Sequence, residues 1–384
     1  MNSHTSHGRR SHRASRRPSY TRTSGDSCVR NRRLTFETIE DRCLLSVGNG
    51  TEYAFEVLAK AEPDEWFNGI GQPYVPFTEA PQPGWIPKVN QTYAWGMAHT
   101  GDDIWVGTAA NVASIGHGLS GEGPSENVIA VTEAGESRFP GISDFLRPFL
   151  GDWRPPKIYR YSAATPELGA VDMTPNDPLI EETMGIRSAG ATEDVVLLAG
   201  PDLMMLGINV FAFNAHTGEY LGSDHILRYG DIRSWVNYDD HLYTGVVETF
   251  SATGEGLVLR WDATIDDPFR FTEVGRLDLE AANLTVHEGR LYASTWPLWM
   301  GTMMGMLGYR STATAGIWMS PKLNDDGLSE YDALGWEKVW DIAEYEPDPL
   351  VAGSLAGGAL CSFDGHLYWG TMMMPGAAIQ TFYE

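Results

Sequence analysis

Apolar and polar residues alternate along most of this chain, and the alternation recurs as one phrase: a strand, a tight acidic turn and a second strand. Aligned without gaps, it reads TYAWGMAHTGDDIWVGT (Thr92–Thr108), MGIRSAGATEDVVLLAG (Met184–Gly200), GDIRSWVNYDDHLYTGV (Gly230–Val246) and LEAANLTVHEGRLYAST (Leu279–Thr295). A fifth copy, SLAGGALCSFDGHLYWGT (Ser354–Thr371), is one residue longer at its start. Period-2 alternation is the mark of a half-buried strand. The turn pairs Gly101-Asp102, Asp239-Asp240, Glu288-Gly289 and Asp364-Gly365 tolerate the positive φ of tight hairpins, whereas Glu193-Asp194 lacks Gly. A little beyond each turn the chain turns small, at Gly107, Ala199, Gly245, Ser294 and Gly370, which lets neighbouring sheets approach closely.

A second phrase follows the first four hairpins: KIYRYSA (Lys157–Ala163), NVFAFNA (Asn209–Ala215), LVLRWDA (Leu257–Ala263) and GIWMSP (Gly316–Pro321). Outer strands are predicted at Tyr220-Leu221, Phe271–Leu277 and Trp336–Trp340. The hairpin anchors Ile104, Val196, Leu242, Leu291 and Leu367 lie 92, 46, 49 and 76 residues apart. A period in the high forties with insertions fits one four-stranded blade per repeat, since blades take roughly 40–50 residues. The expected fold is all-β: a β-propeller over residues 92–384 with about five recognisable blades, the last incomplete. Ala378–Tyr383 (AIQTFY) reads as the start of that blade's third strand. Two endings stay open. Tyr53–Leu58 (YAFEVL) closes a ring by pairing beside it, or the sequence is a shortened form of a longer propeller. The second is favoured, because the last inner pair is otherwise exposed.

Composition agrees: Gly 42, Trp 13 and Tyr 16 suit a turn-rich all-β chain, and no apolar run is long enough for a transmembrane span. The longest candidate, Trp296–Gly308, is read as a packed loop, with an adaptable methionine contact surface as its alternative. Charge then divides the chain. The net charge is −24, but residues 1–46 carry +6 and the remainder −30. Nucleic acid is a poor partner for so acidic a body. Residues 1–46 are expected to be a disordered, Arg/Ser-rich targeting segment, and residues 47–91 a linker holding the closing strand.

The leader ends in RRLTFETIEDRCLLS (Arg32–Ser46), which closely resembles the export-associated segment of planctomycete extracellular proteins. Arg32, Arg33, Leu34, Phe36, Glu37, Ile39, Glu40, Arg42, Leu44, Leu45 and Ser46 stand at its positions, with Ile39 in place of Leu. The resemblance implies secretion or surface display and no activity. A short amphipathic helix is the alternative reading of the same residues.

Candidate chemistry is sparse. Cys28 precedes the export segment and Cys43 lies within it, and the two could pair if that segment survives; Cys361, inside an inner strand, is expected to be a small buried hydrophobe. No cofactor is identified. Asp102, Asp103, Asp239, Asp240 and Asp364 could hold calcium but are read as turn formers. The longer loops (109–156, 249–256 and 296–315) share one face of the propeller, where binding usually sits. Entering the inner strands on that face is a column reading Trp95, Arg187, Arg233, Ala282 and Gly358, followed by Gly96, Ser188, Ser234, Asn283 and Ala359. Two guanidiniums near the axis make an anion site, or else each pairs with a neighbouring carboxylate such as Asp231 and ties sheets together. Trp296 and Trp299, with Trp153 and Trp85, are sugar-stacking candidates whose alternative is core burial. The candidate ligand set is therefore Arg187, Arg233, Trp95, Asn283, Trp296 and Trp299.

The blades also resemble secreted BNR- or Kelch-like propeller repeats. Gly185-Ile186-Arg187-Ser188, Asp364 to Thr371 and Trp336-Glu337-Lys338-Val339 carry the likeness, but the full Ser-x-Asp-x-Gly-x-x-Trp box is missing. The resemblance implies architecture only. The favoured reading is a secreted or cell-surface binding module for carbohydrate, an anionic polymer or another surface protein. A propeller-type polysaccharide hydrolase or lyase is the alternative, disfavoured because no catalytic constellation is recognisable.

Overall fold

A computed structural model describes residues 42–47, 51–57, 60–69, 72–91, 93–110, 153–238, 240–297 and 311–373, in two compact units, Met1–Glu56 and Val57–Glu384. In the first unit β1 (Arg42–Val47) pairs antiparallel with β2 (Thr51–Glu56), Arg42 opposite Glu56 and Val47 opposite Thr51. The end of the leader is thus a strand, where disorder was expected through residue 46. Most of the candidate closing strand lies in β2 and pairs with β1; Ala378–Tyr383 lies outside the described residues. The second unit opens with β3 (Glu65–Phe67) paired to β4 (Ile86–Lys88), so the expected linker contains a small sheet.

Four complete blades follow, each a four-stranded antiparallel sheet. Blade 1 is β5 (Tyr93–Thr100), β6 (Asp103–Ala109), β7 (Ile158–Ser162) and β8 (Ala170–Asp172). After a short helix α1 (Pro178–Glu181), blade 2 is β9 (Ser188–Ala191), β10 (Val195–Pro201), β11 (Ile208–Asn214) and β12 (Tyr220–Ile226). Blade 3 is β13 (Tyr229–Tyr238), β14 (His241–Glu248), β15 (Gly256–Trp261) and β16 (Phe271–Leu277). Blade 4 is β17 (Glu280–His287), β18 (Arg290–Trp296), β19 (Gly316–Met319) and β20 (Glu337–Asp341). Two short helices, α2 (Ile342–Tyr345) and α3 (Pro349–Ser354), lead to a fifth blade, described as β21 (Leu355–Phe363) and β22 (His366–Met373).

The turn chemistry explains the hairpins. Glu288 and Gly289 have φ of 48° and 72°, and Asp364 and Gly365 of 47° and 71°, as a two-residue turn matched to strand twist requires. The Glu193-Asp194 turn is closed differently: the Thr192 hydroxyl accepts from the backbone N–H of Asp194 (3.3 Å) and Val195 (3.1 Å). The small residues beyond the turns do set the blade spacing. A Cβ on Gly107 would stand 2.1 Å from Ile186 Cγ2, and one on Gly245 2.3 Å from the Ala281 carbonyl oxygen.

Between successive blades lie the apolar cores. Trp105 and Ile158 of blade 1 pack with Val196, Phe211 and Phe213 of blade 2. Leu197, Ala199 and Val210 meet Ile232, Val246 and Leu257 of blade 3 across the opposite face of blade 2. Inner strands pack in succession, β5 on β9, β9 on β13, β13 on β17 and β17 on β21, and among the described residues no comparable packing joins β5 to β21. Cys361 corrects its expectation: it is an exposed free thiol. It lies opposite Tyr368 and on the same side as Phe363, a face of the last sheet that the described blades leave uncovered.

Candidate functional site

The repeat column that carries the arginines coincides with irregularities of the inner strands. The ladder skips Trp95 in β5, Asp231 and then Arg233-Ser234 in β13, Ala282 in β17 and Gly358-Ala359 in β21. Arg187 stands just before β9 begins. A bulged residue leaves its ladder and re-aims its side chain, so a periodic sequence signal becomes side chains turned out of register at equivalent places in adjacent blades. Asp231 is the extreme case, with a φ of 36° that a non-glycine residue adopts only at a cost of about 1–3 kcal/mol.

These side chains form one network across blades 1 to 4. Arg187 Nη1 donates to Asp231 Oδ1, tying blade 2 to blade 3. Arg233 donates from Nη2 to Asp231 Oδ2 at 3.2 Å and from Nε to Glu280 Oε1 at 2.8 Å, tying blade 3 to blade 4. The Arg187 guanidinium lies 5.2 Å from the Trp95 ring centre, and that of Arg233 lies 3.2 Å from the Trp296 ring centre. Asp231 and Glu280 are buried, whereas the Arg187 and Arg233 side chains keep 14% and 13% of their surface exposed. Burial depresses the Arg187 guanidinium, with Arg233 adding to the effect. Burial also acts to raise Asp231, but Arg187 and Arg233 outweigh it and hold that carboxyl at about 2. Glu280 goes the other way: burial, and then the neighbouring Asp231 charge, push it up to about 7. A crevice lined by Pro201, Met205, Gly207, Gly230, Val247 and Thr249 reaches Asp231.

The molecule is a β-propeller. No family model matches its sequence, and no curated protein does. Similar solved structures include the β-propeller domain of the Trilobed protease from Pyrococcus furiosus, at 10% identity and a TM-score of 0.34, covering 73% of this chain and 78% of that one. An α-L-arabinofuranosidase from Clostridium thermocellum aligns at 11% identity and a TM-score of 0.32, over 71% of this chain and 80% of its own. A β-fructofuranosidase from Bombyx mori, solved with sucrose, aligns at 14% identity and a TM-score of 0.31 over 72% of this chain; the propeller spans 54% of that enzyme.

Of the residues singled out in the sequence, Trp95, Arg187 and Arg233 are brought together. Trp296 joins them from beneath: it is buried, donates through its indole N–H to the Gly357 carbonyl, and supports Arg233 as a stacking partner. The expected exposed platform is therefore corrected at Trp296, because it closes the end of an inner-pair strand rather than projecting from a loop. Trp153 is likewise core, its indole donating to the Met184 carbonyl at 3.1 Å. Asn283 donates to the Gly358 carbonyl at 2.7 Å and so bridges blades 4 and 5. Trp299 lies outside the described residues. Among the described residues no three His, Cys, Asp or Glu side chains converge as metal ligands.

Glu280 is the member that the sequence reading missed. Its signal was nonetheless present: Asp231 and Glu280 share one column of the repeat, two residues before Arg233 and Ala282. A carboxylate there, in a strand otherwise apolar on both flanks, is out of place unless a cation waits for it.

Proposed function

We propose that this protein is a secreted or cell-surface binding module that takes an anionic ligand at the axial cluster on its loop-rich face. The observation that carries the reading is the unspent donor capacity of Arg187. A guanidinium has five N–H donors, yet Arg187 bonds only Asp231, and its Nε and Nη2 have no partner among the described residues. A largely buried guanidinium with two adjacent free donors, its charge only partly answered, suits bidentate capture of a carboxylate or sulfate. Secretion rests on the export-like segment Arg32–Ser46.

The separated titrations of Asp231 and Glu280 favour a second reading, an acid–base pair. Their spacing counts against it for glycoside hydrolysis. Both carboxyls sit on neighbouring donors of one guanidinium, much closer than the roughly 5–9.5 Å that such enzymes place between theirs. A glycan array and a turnover screen of the full chain test both readings. Retention of acidic glycans without turnover, lost in Arg187→Ala, is the expected result. Turnover of any polysaccharide that Glu280→Gln abolishes would establish the enzyme instead.

A further inference from the structure

Nε and Nη2 form one edge of a guanidinium, so the Glu280 and Asp231 oxygens that they hold, at 2.8 Å and 3.2 Å, stand side by side. Two carboxylates repel at that separation, and a single proton between them turns the contact into a hydrogen bond. With the proton in place the cluster holds two positive charges and one negative. Without it the cluster is neutral. The charges facing Glu280 are Asp231 and Arg233 on β13 and Arg187 ahead of β9. Trp296 on β18, Trp95 on β5 and the Gly357-Gly358 stretch of β21 add none. Beside Arg187, Tyr93 is exposed and meets the half-buried Trp95 edge to face at 5.8 Å, an aromatic shelf next to the free guanidinium donors.

Resting on the axial binding reading, we propose that the site captures the carboxylate of an acidic sugar residue together with one proton. The carboxylate lies on Nε and Nη2 of Arg187, and the C–H face of the sugar lies against the Tyr93 and Trp95 shelf. The proton is held between Asp231 and Glu280. The coupling follows from charge: only the protonated cluster has an unanswered positive charge to offer an anion. Burial pushes Glu280 upward, so that the proton is exchangeable near neutrality.

Calorimetric titration of the full chain with galacturonate oligosaccharides, between pH 5 and 9 and in buffers of differing ionisation enthalpy, tests this. Galactose oligosaccharides and sulfated galactose oligosaccharides serve as comparisons. Galacturonate is expected to bind with uptake of one proton above neutrality, its affinity falling roughly tenfold per pH unit there. Neutral oligosaccharides are expected not to bind, and sulfated ones to bind more weakly. Glu280→Gln, the amide counterpart of the protonated acid, is expected to bind galacturonate at pH 9 roughly a hundredfold more tightly than wild type. Binding without proton uptake, or pH dependence that survives in Glu280→Gln, overturns the proton linkage and leaves the axial site standing. Preference for the sulfated ligand overturns the carboxylate assignment. No binding, or binding indifferent to Arg187→Ala, overturns the site and the inference together. Carboxyl carbon NMR of the unliganded chain supplies a readout independent of ligand. One Glu resonance titrating near neutrality and missing from Glu280→Gln is expected, and its absence overturns the shared proton.

Discussion

Arg187 and Arg233 at the axis, and the more exposed Arg228, ahead of β13, and Arg276, in the outer strand β16, each bind carboxylates, but in very different surroundings. The more exposed pair reaches Glu248, Glu255 and Glu273 with side chains 50% and 34% exposed. There water screens every charge, and such bridges contribute little. The axial pair meets Asp231 and Glu280 in a site that water barely reaches, so any charge without a partner is costly. The difference teaches that ion pairing alone marks nothing. What marks the axis is pairing under burial with one guanidinium left underused.

Breaking the axis should therefore cost most. Asp231→Ala leaves two buried guanidiniums short of an acceptor, and urea unfolding is expected to show a loss of about 3–5 kcal/mol. Asp231→Asn should cost less, because Asn tolerates left-handed backbone and keeps an acceptor. A smaller loss in Asp231→Ala than in a variant of the more exposed pair would erase the distinction between the two regions.

The pH dependence of stability sharpens the comparison next. Glu280 is raised from 4.5 to about 7, so the native state binds the extra proton across that window. Stability is expected to fall as pH rises through it, and Glu280→Gln should remove the slope. Asp231 is lowered from 3.8 to about 2, so its contribution is present above 3.8 and is lost as pH falls through 2. Thermal unfolding between pH 2 and 9 measures both limbs. In the outer strand, Arg276→Ala is expected to cost about 0–1 kcal/mol, with a salt dependence that the axial variants lack. Smallest of all, removing residues 1–46 should abolish export from the cell and leave the unfolding midpoint of the remaining chain unchanged. A lowered midpoint would tie the leader to the fold.

Much of the architecture was legible because hairpins are local. Turn residues and period-2 alternation fix each inner pair within about seventeen residues, and the outer strand Phe271–Leu277 was recovered to its boundaries. Short β8 escaped, since three residues carry no period. The arginine column was legible through the repeat, but its meaning was not. Whether Arg233 faces a ligand or Glu280 depends on a bulge between Ile232 and Trp235, and that register shift has no signature in a single sequence. Trp296 was misplaced for a related reason: it stands where strand gives way to loop, and boundaries are where periodicity fails. Cys361 needed knowledge of which sheet face has a neighbour, a property of assembly that no local pattern encodes.

The succession of inner strands, each packed on the next and, among the described residues, with no matching contact between β5 and β21, couples each blade to its nearest neighbours. In such an array unfolding need not be all-or-none: the end modules fray first and the middle ones hold longest. Amide exchange should then grade along the chain, slowest in blades 2 and 3 and faster toward blades 1 and 5. Arg187, Asp231 and Arg233 lie in the slow centre of that gradient, where thermal opening of an outer blade reaches them last.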